Sequence, residues 1–358
     1  MTLTALYDTI RPLHFTPLRV SFRLEEPLTV RRFSGSALRG ALGWGLGRAV
    51  REGIYRRPPA NVLGEGPFER LWEPHVDSEA APKLNLAPNS RVVPPYVVSP
   101  PGPQEYAEGA LFTFTLVLVG GAAQAFPLWI AACENAARRG RLFRSDDQDS
   151  GVSARRAEIR GADGRLLFDG EERAFTPGFY ERGLRRLTAD QAFRKRPPDG
   201  PLSLRLHFKT PTRITRRKEE RRRLKREGTR EERVRFVDRF HERHLGVLVE
   251  RLYVRLFRLT QLYCADTVEA YEGREGLPDP PDARIVQQDT SFESVTLSRK
   301  GEPQTLGALT GSVIIAGRLA PLYPLFALGE HLHLGKSTSA GFGRFSLNAE
   351  EFSSGDDR

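Results

Sequence analysis

The sequence LGEHLHLGKSTSAGFGRF, residues 328–345, decides the fold, because it ends a helix, makes a glycine-rich turn and begins a strand. Gly335, Gly341 and Gly343 can adopt positive φ angles and let another segment of backbone come close. Exposed N–H groups of such a loop can bind phosphate oxygens. The pattern predicts a loop that binds phosphate or an RNA backbone. The alternative is an ordinary connection between a helix and a strand.

Two kinds of polar group accompany these glycines. Lys336 and Arg344 supply positive charge, and Ser337, Thr338 and Ser339 supply hydroxyl donors. Cationic side chains form short, charge-assisted hydrogen bonds with phosphate. The composition of this glycine-rich loop (residues 335–344) therefore favours anion binding.

Upstream of the loop, the second half of the chain alternates between strand and helix patterns. The predicted elements are a strand at 202–208, a helix with an apolar stripe and a basic face at 233–262, strands at 294–297 and 309–315, a short helix at 321–328 and a strand at 344–347. This order, strand–helix–strand–strand–helix–strand, is typical of a ferredoxin-like domain.

We interpret the first half as a repeat of the same order. The predicted elements are a strand at 18–24, a helix that starts near Ala37 after a cap at Ser34 or Ser36, a strand at 110–119, a helix at 126–139 and a pair of strands within 142–169. Residues 58–103 are rich in Pro, Gly and Asn and are predicted to form an irregular connection.

The fold class is thus α+β, with two tandem ferredoxin-like domains and a C-terminal glycine-rich loop. A length of 358 residues fits two domains at roughly 150 residues each. Residues 195–200 are the predicted linker. We place an N-terminal domain with a long Pro-rich insertion at 1–200, and a C-terminal domain with the basic helix and the glycine-rich loop at 201–358.

The charge of the chain points to a polyanionic partner. Lys and Arg total 55 against 45 Asp and Glu, which gives a net charge of +10 and a pI near 9.9. Arg outnumbers Lys, and its planar guanidinium binds phosphate bidentately and stacks on bases. Nucleic acid is therefore the first expected partner and an anionic membrane surface the second.

Several other classes of protein are disfavoured. No apolar stretch approaches the roughly 20 residues of a membrane span, and no signal peptide is recognised, so we expect a cytoplasmic protein without a membrane partner. The two cysteines, Cys133 and Cys264, exclude a disulfide scaffold and are expected to be core residues. The sequence contains neither HExxH nor GxxxxGK[ST], and we predict no metal and no cofactor.

Residues 213–244 form the most unusual segment, in which Arg, Lys and His make up about half of the positions and Glu is interspersed. The structural interpretation is a solvated helix with i,i+4 ion pairs. The functional interpretation is contact with an RNA backbone, which would make binding strongly salt-dependent. We expect His241 and His244 in this segment to face solvent or RNA, and His207 in the preceding strand to be a packing residue.

Four segments together resemble one family. They are SGSALRGALG (34–43), PPYVVSPP (94–101), KTPTRITRR (209–217) and the stretch from LGALTG to the glycine-rich loop (306–345). In this order they resemble the CRISPR precursor-RNA processing endoribonucleases, a branch of the RAMP superfamily. The last segment is fairly specific, whereas SALRGALG also occurs in other RAMP proteins.

The resemblance implies two ferredoxin-like, RAMP/RRM-like domains that bind a repeat-derived RNA hairpin across a basic cleft. It also implies cleavage of one phosphodiester without metal. The ribose 2′-OH would attack the adjacent phosphate and leave a 2′,3′-cyclic phosphate and a 5′-OH. Such a reaction needs a base, cations around the phosphorane and an acid for the leaving oxygen.

This sequence departs from the family in one respect. Family members often place a catalytic histidine at the end of the first helix, whereas the matching stretch here, REGIYRRPP (51–59), contains none. We predict that catalysis depends either on Tyr55 together with arginines or on His333 beside the glycine-rich loop, and Lys336 is a further predicted catalytic residue. Arginine seldom gives up a proton, so a site of arginines alone would stabilise charge more than transfer protons.

The predicted RNA-binding residues are Arg39, Arg51, Arg213, Arg216, Arg217, Lys218, Arg221, Arg222, Gly335, Gly341, Gly343 and Arg344. We expect the glycine-rich loop and the arginine-rich segment (residues 213–244) to converge on one groove. The partner is CRISPR repeat RNA or the guide RNA made from it, with other subunits of a CRISPR effector complex as further candidates.

Two other functions stay open. The first is a non-catalytic RAMP subunit that binds guide RNA within an effector complex. The second is a general basic nucleic-acid-binding protein without nuclease activity.

Overall fold

The structure is a computed structural model of the chain. It describes residues 3–30, 33–53, 66–137, 152–172, 174–175, 184–195, 197, 200–229, 231–271, 283–299 and 302–351. Two larger β-sheets organise these residues: one uses strands between His14 and Thr188, and the other uses strands between Leu202 and Glu351.

The first half is built around a seven-stranded antiparallel sheet. Its elements are α1 (Leu3–Ile10), β1 (His14–Leu24), β2 (Leu28–Val30), α2 (Gly35–Arg51), α3 (Pro67–Trp72), α4 (Ala80–Lys83), β3 (Tyr96–Ser99), β4 (Gln104–Tyr106), β5 (Leu111–Val119), α5 (Phe126–Ala137), β6 (Ala154–Gly161), β7 (Leu166–Asp169), β8 (Ala174–Phe175), β9 (Leu187–Thr188) and α6 (Ala189–Arg194). The strand order β3–β5–β1–β6, with α2 and α5 as the two crossover helices, is ferredoxin-like.

Strand β3 corrects the sequence prediction, because it lies within the residues 58–103 that were expected to be irregular. All four of its residues, Tyr96–Ser99, are buried, so the strand lacks the alternation of apolar and polar residues that marks a half-buried strand. Prolines flank it on both sides and give the surrounding sequence the appearance of a loop.

The second half contains a four-stranded antiparallel sheet in the order β11–β12–β10–β13. Its elements are β10 (Leu202–Thr212), α7 (Lys218–Arg226), α8 (Glu231–Arg235), α9 (Leu245–Tyr263), β11 (Arg284–Arg299), β12 (Glu302–Gly317), α10 (Tyr323–Leu332) and β13 (Phe345–Glu351). With α9 and α10 as crossovers, this is the second ferredoxin-like unit, and the predicted fold class is confirmed. The predicted helix at 233–262 begins later, at Leu245, and the arginine-rich segment before it forms the two short helices α7 and α8.

The two halves share a hydrophobic core. One cluster contains Phe15, Val97 and Val117 from the first sheet together with Leu206 and Leu252 from the second half. The predicted domain boundary between residues 200 and 201 falls between the two sheets, and it stays a prediction.

Candidate nucleic-acid interface

The glycine-rich loop lies where the backbone of several segments comes very close. Gly341 and Gly343 have φ angles of 85° and 76°, which residues with side chains rarely adopt. A Cβ atom at Gly343 would lie 1.8 Å from the carbonyl oxygen of Leu334, and one at Gly341 would lie 2.6 Å from Cδ of Pro100. Gly335, with φ of 86°, packs against the backbone of Arg213. The glycines are therefore required by close packing of the loop.

Hydrogen bonds join the loop to the end of β10. The Thr210 hydroxyl donates to the carbonyl oxygen of Gly341 (2.8 Å), and the Arg344 N–H donates to that hydroxyl (2.9 Å). The N–H of Lys336 donates to the Arg213 carbonyl oxygen at 3.0 Å. These bonds hold the KTPTR stretch and the glycine-rich loop as one unit.

Contacts with the first half complete this junction. A Cβ atom at Gly35, the first residue of α2, would lie 2.1 Å from the carbonyl oxygen of Ala340. Ser99, at the end of β3, hydrogen-bonds to His333 at 2.8 Å. The four sequence segments that resemble the CRISPR endoribonucleases therefore meet at the glycine-rich loop.

His333 lies inside this junction and is 1% exposed. Its Nδ1 is 3.0 Å from the carbonyl oxygen of Phe342, and its Nε2 is 2.8 Å from Oγ of Ser99. Because a carbonyl oxygen only accepts, Nδ1 carries the proton and the Ser99 hydroxyl donates to Nε2. Burial and then the charge of Arg255 lower the pKa of His333 to about 3, so the ring is neutral. Its catalytic role stays a prediction, and this burial weighs against it.

Lys336, in contrast, is exposed and surrounded by cations. Partial removal of water from its ammonium, followed by the positive charges of Arg258, Arg251, Arg235 and Arg255, lowers its pKa. A lysine with a lowered pKa gives up its proton more readily. The predicted role of Lys336 at a phosphate fits this surrounding charge.

Three of these arginines form a stripe on α9, within the helix whose basic face the sequence predicted, although none of the three was named as a binding residue. Each donates to a carbonyl oxygen of a different segment: Arg251 to Thr215 (3.0 Å), Arg255 to Leu332 (2.9 Å) and Arg258 to Leu84 (3.3 Å). Their spacing of four and three residues, which places them on one helix face, was the available signal.

A groove of about 270 Å³ lies between the two halves on the side of Arg344. Ser99 and Thr115 line it from the first sheet, and Lys209, His331 and Arg344 line it from the second half. Lys209 and Arg344 are exposed, so both present positive charge along this groove.

Arg216 is buried, although it was predicted to bind RNA. Its guanidinium donates to the carbonyl oxygens of Arg233 (3.0 Å) and Phe236 (2.9 Å), and pairs with Glu220 (2.7 Å) and Asp238. All three nitrogens of the guanidinium therefore bond to groups of the protein. Its assignment to RNA stays a prediction, and its geometry instead supports an anchor for the arginine-rich segment.

Arg213 is also buried. Its Nε donates to the carbonyl oxygen of Gly307 at 3.2 Å, and its guanidinium carbon lies 4.0 Å from the centre of the Phe236 ring. Its backbone contact with the loop, together with the charge of Arg235 on Lys336, shows where the arginine-rich segment and the loop meet.

His244 corrects an expectation, because it is buried rather than facing solvent or RNA. The N–H of His241 donates to its Nδ1 (3.1 Å), so its Nε2–H donates to Glu220 (2.9 Å). Burial, then the charges of Arg216 and Arg243, outweigh the favourable carboxylate and lower the pKa of His244. His207, expected to pack, is exposed on β10.

The remaining predicted binding residues have mixed surroundings. Lys218 and Arg222 on α7 are exposed and Arg221 is half-buried, while Arg217 pairs with Glu250 at 3.4 Å. Arg51 is exposed at the end of α2. These placements leave their roles in RNA binding as predictions.

Arg39 is held within the first half. Its Nε donates to the hydroxyl of Tyr96 at 3.1 Å, and its guanidinium carbon lies 4.8 Å from the centre of the Trp72 ring. Burial raises the pKa of Tyr96 to about 12 in spite of this cation. Tyr55 lies outside the described residues.

The two cysteines are free thiols, Cys133 buried and Cys264 half-buried. Burial raises the pKa of Cys264 to about 11 and that of Cys133 further. Among the described residues, no helix is both long and apolar enough to cross a membrane. In the same residues, no cluster of His, Cys, Asp and Glu side chains is placed to hold a metal ion.

Two family models match the chain. One, described as CRISPR-associated endoribonuclease Cas6, matches residues 206–345, the part that contains β10, the arginine-rich segment and the glycine-rich loop. Residues 206–345 of the chain therefore match the Cas6 family. The resemblance seen in the sequence is thereby confirmed at the level of the family of RAMP-type processing endoribonucleases. A second model, described as an N-terminal domain, matches residues 13–175.

Solved structures are similar over nearly the whole chain. A partial Cas6–RT–Cas1–Cas2 complex has a TM-score of 0.57 at 13% identity and covers 95% of this chain and 47% of its own. A Cas6–RT–Cas1–Cas2 complex gives the same TM-score and identity over 95% of this chain and 30% of its own. Cas6 of Thermus thermophilus has a TM-score of 0.45 at 14% identity, and the match covers 94% of this chain and 99% of that protein.

At these identities the first two structures are similar to this chain in fold alone. The match covers 47% of the length of the first of these structures and 30% of the length of the second. No curated protein sequence matches it.

Proposed function

We propose that the protein binds CRISPR repeat RNA and cleaves the precursor transcript into guide RNAs without a metal ion. One observation carries this proposal: four segments distant in sequence meet at a glycine-rich loop whose exposed Lys336 is surrounded by arginines. The match of residues 206–345 to the Cas6 endoribonuclease model supports the class of reaction. A polyanion is the partner that relieves the repulsion among so many cations.

The proposed chemistry is an internal displacement on RNA. The 2′-OH loses its proton and attacks the adjacent phosphate, the bond to the 5′ oxygen breaks, and a 2′,3′-cyclic phosphate and a 5′-OH result. Lys336 would stabilise the charge of the phosphorane or give its proton to the leaving oxygen, and its lowered pKa suits the second role. Tyr55 is the group proposed to take the proton from the 2′-OH.

RNA would reach this position over two cationic surfaces. The groove between the halves presents Lys209 and Arg344, and α7 presents Lys218 and Arg222. Contacts of this kind bind the backbone and release counterions, so affinity falls as salt rises. The related Cas6–RT–Cas1–Cas2 structures support other CRISPR proteins as further partners.

One observation favours a second function, that of a non-catalytic RNA-binding subunit. Both ring nitrogens of His333 are bonded to protein groups, so this histidine has no nitrogen left for RNA. A site without a histidine, with Lys336 and arginines as its cations, would hold RNA well and cut it slowly.

Incubation of the protein with its cognate repeat RNA in EDTA separates these functions. The nuclease gives a product that ends in a cyclic phosphate, and a 2′-deoxy substitution at the scissile nucleotide abolishes it. Stable binding without product supports the non-catalytic subunit. Equal affinity for unrelated RNA and DNA at the same salt contradicts both and supports a general nucleic-acid-binding protein.

A further inference from the structure

His333 has a backbone conformation that is costly for any residue with a side chain. Its φ and ψ angles are 63° and 167°, in a region populated almost only by glycine. The residue follows α10 directly and precedes the glycine-rich loop. A strained conformation persists only where surrounding contacts impose it, and such residues cluster at functional sites.

The contacts that impose this conformation lie on both sides of the residue. Before it, the carbonyl oxygen of Leu332 accepts from the buried Arg255 at 2.9 Å. After it, the N–H of Leu334 donates to the Gly343 carbonyl oxygen at 2.8 Å. The backbone is thus fixed at two neighbouring peptide groups, and the chain turns sharply between them.

The imidazole ring uses this turn to join two distant segments. Its Nδ1–H donates to the carbonyl oxygen of Phe342, within the loop, and its Nε2 accepts from the Ser99 hydroxyl at the end of β3. Ser99 itself is 6% exposed. A smaller residue would leave the first half of the protein without this bond to the loop.

We propose that His333 is a positioning residue that locks the glycine-rich loop to Ser99 and so fixes where Lys336 and Arg344 meet RNA. Its effect on RNA depends on the proposed function, whereas its effect on the loop does not. Because the ring is sequestered, it acts through the loop and transfers no proton to or from RNA.

Cleavage of repeat RNA by Ser99→Ala, His333→Ala and the double variant tests this role. We expect kcat/KM to fall about 10–100-fold for His333→Ala and about 3–10-fold for Ser99→Ala. The double variant should be no worse than His333→Ala, because both substitutions remove the same bond. His75→Ala, an exposed histidine outside the site, is the matched control and should keep wild-type activity.

The pH–rate profile separates positioning from proton transfer. A positioning residue leaves the shape of the profile unchanged in His333→Ala. Loss of one limb of the profile, or a fall of about 10³-fold or more, within the range typical of proton transfer, that Ser99→Ala does not share, would overturn the proposal.

Backbone strain provides a second measurement. His333→Gly removes the strain and the imidazole bonds together, whereas His333→Ala removes the bonds and keeps the strain. We expect a higher unfolding temperature for His333→Gly than for His333→Ala, with equally low cleavage by both. An unfolding temperature of His333→Gly at or below that of His333→Ala contradicts the imposed conformation.

Hydrogen exchange without RNA makes the result independent of the proposed function. The amides of Lys336 and Gly343 donate to the carbonyl oxygens of Arg213 and Pro211, and they should exchange at least about tenfold faster in Ser99→Ala and His333→Ala. Strand β5 should keep its protection. If the wild type neither binds nor cuts repeat RNA, the proposed function fails while exchange still decides the role of His333. Unchanged loop exchange overturns the positioning role even if cleavage is observed.

Discussion

The glycine-rich loop and helix α7 both present positive charge, yet the protein holds them in different ways. The loop is fixed along its length by hydrogen bonds and close backbone contacts to β10, β3 and α2. Helix α7 has no buried residue and depends on the buried Arg216 just before it. The position of the charges is therefore specified by close packing in the loop, and by ionic contacts around the buried Arg216 for helix α7.

This difference predicts how each region responds to change. Substitutions in the loop change the backbone packing, and their effect on stability depends on how close the neighbouring atoms lie to the added side-chain atom. Substitutions on α7 alter electrostatics, and their effect depends on salt. The experiments below separate the two.

The largest effect is expected from Arg216→Ala, which removes the anchor of the arginine-rich segment. Glu220 and Asp238 would lose their buried partner, and breaking such a pair costs about 3–5 kcal/mol. Urea denaturation would measure this loss. Arg226→Ala, an exposed cation on the same helix, is the control and should change stability by no more than about 0.5 kcal/mol. Equal stability of the two variants would show that Arg216 is no anchor.

Next in size is Gly343→Ala in the loop, compared with Gly228→Ala after α7. Their φ angles are similar, 76° and 71°, but a Cβ atom meets a carbonyl oxygen at 1.8 Å in the first and nothing within 4 Å in the second. We expect a loss of about 2–4 kcal/mol for Gly343→Ala and about 1 kcal/mol for Gly228→Ala. Thermal unfolding measures both. Similar losses would mean that backbone strain alone, and not crowding, requires glycine in the loop.

A pH effect of intermediate size should follow from His333. Its pKa of about 3 in the folded protein lies below the ordinary value of about 6.5. As pH falls, the histidine therefore takes up a proton in the unfolded chain before it does so in the folded protein. The stabilisation by the neutral ring is fully present above about pH 6.5 and is lost progressively as the pH falls toward about 3. Between these values the loss is about 1.4 kcal/mol per pH unit.

His333→Ala provides the comparison for this pH effect. The difference in free energy of unfolding between the wild type and the variant should be about 2 kcal/mol smaller at pH 5 than at pH 7. A difference that stays constant over this range would argue against a buried neutral imidazole. Chemical denaturation at the two pH values gives the answer.

The smallest expected effects concern RNA affinity. The Lys336→Ala/Arg344→Ala variant should weaken binding about 10–100-fold with little change in stability, because both side chains are exposed and contribute through charged hydrogen bonds. The Lys218→Ala/Arg222→Ala variant should weaken binding about 3–10-fold. Each lost phosphate contact lowers the salt slope by about 0.7–0.9.

Titration with repeat RNA at several salt concentrations measures both double variants. Unfolding of the Lys336→Ala/Arg344→Ala protein would mean that these side chains serve the fold rather than RNA. If the α7 variant loses affinity without a change in salt slope, that helix acts through something other than phosphate contact.

Much of the fold could be read from local patterns. The alternating strand at 202–208 and the apolar stripe of α9 are visible in sequence because one face of each packs against the core. Strand β3 was missed because both of its faces are buried between prolines. The start of α9 was misplaced because charged residues before Leu245 continue a helical composition without forming one helix.

The candidate site was harder to predict, since residue type does not report burial. Lys336 and Arg344 lie exposed, as a phosphate-binding role requires, whereas Arg213, Arg216 and His333 are interior. Arginine and histidine serve equally well as surface ligands and as donors to buried carbonyl oxygens. Only the positions of their partners distinguish the two uses.

The sequence by itself determined the order of strands and helices, the excess of positive charge and the family resemblance, because these depend on periodicity, composition and short motifs. Tertiary structure alone decided which cations are exposed to solvent, which histidines are buried and why the loop needs its glycines. Those properties arise when segments hundreds of residues apart, such as β3 and the glycine-rich loop, come into contact, and hydrogen bonds between them leave no trace in the local pattern.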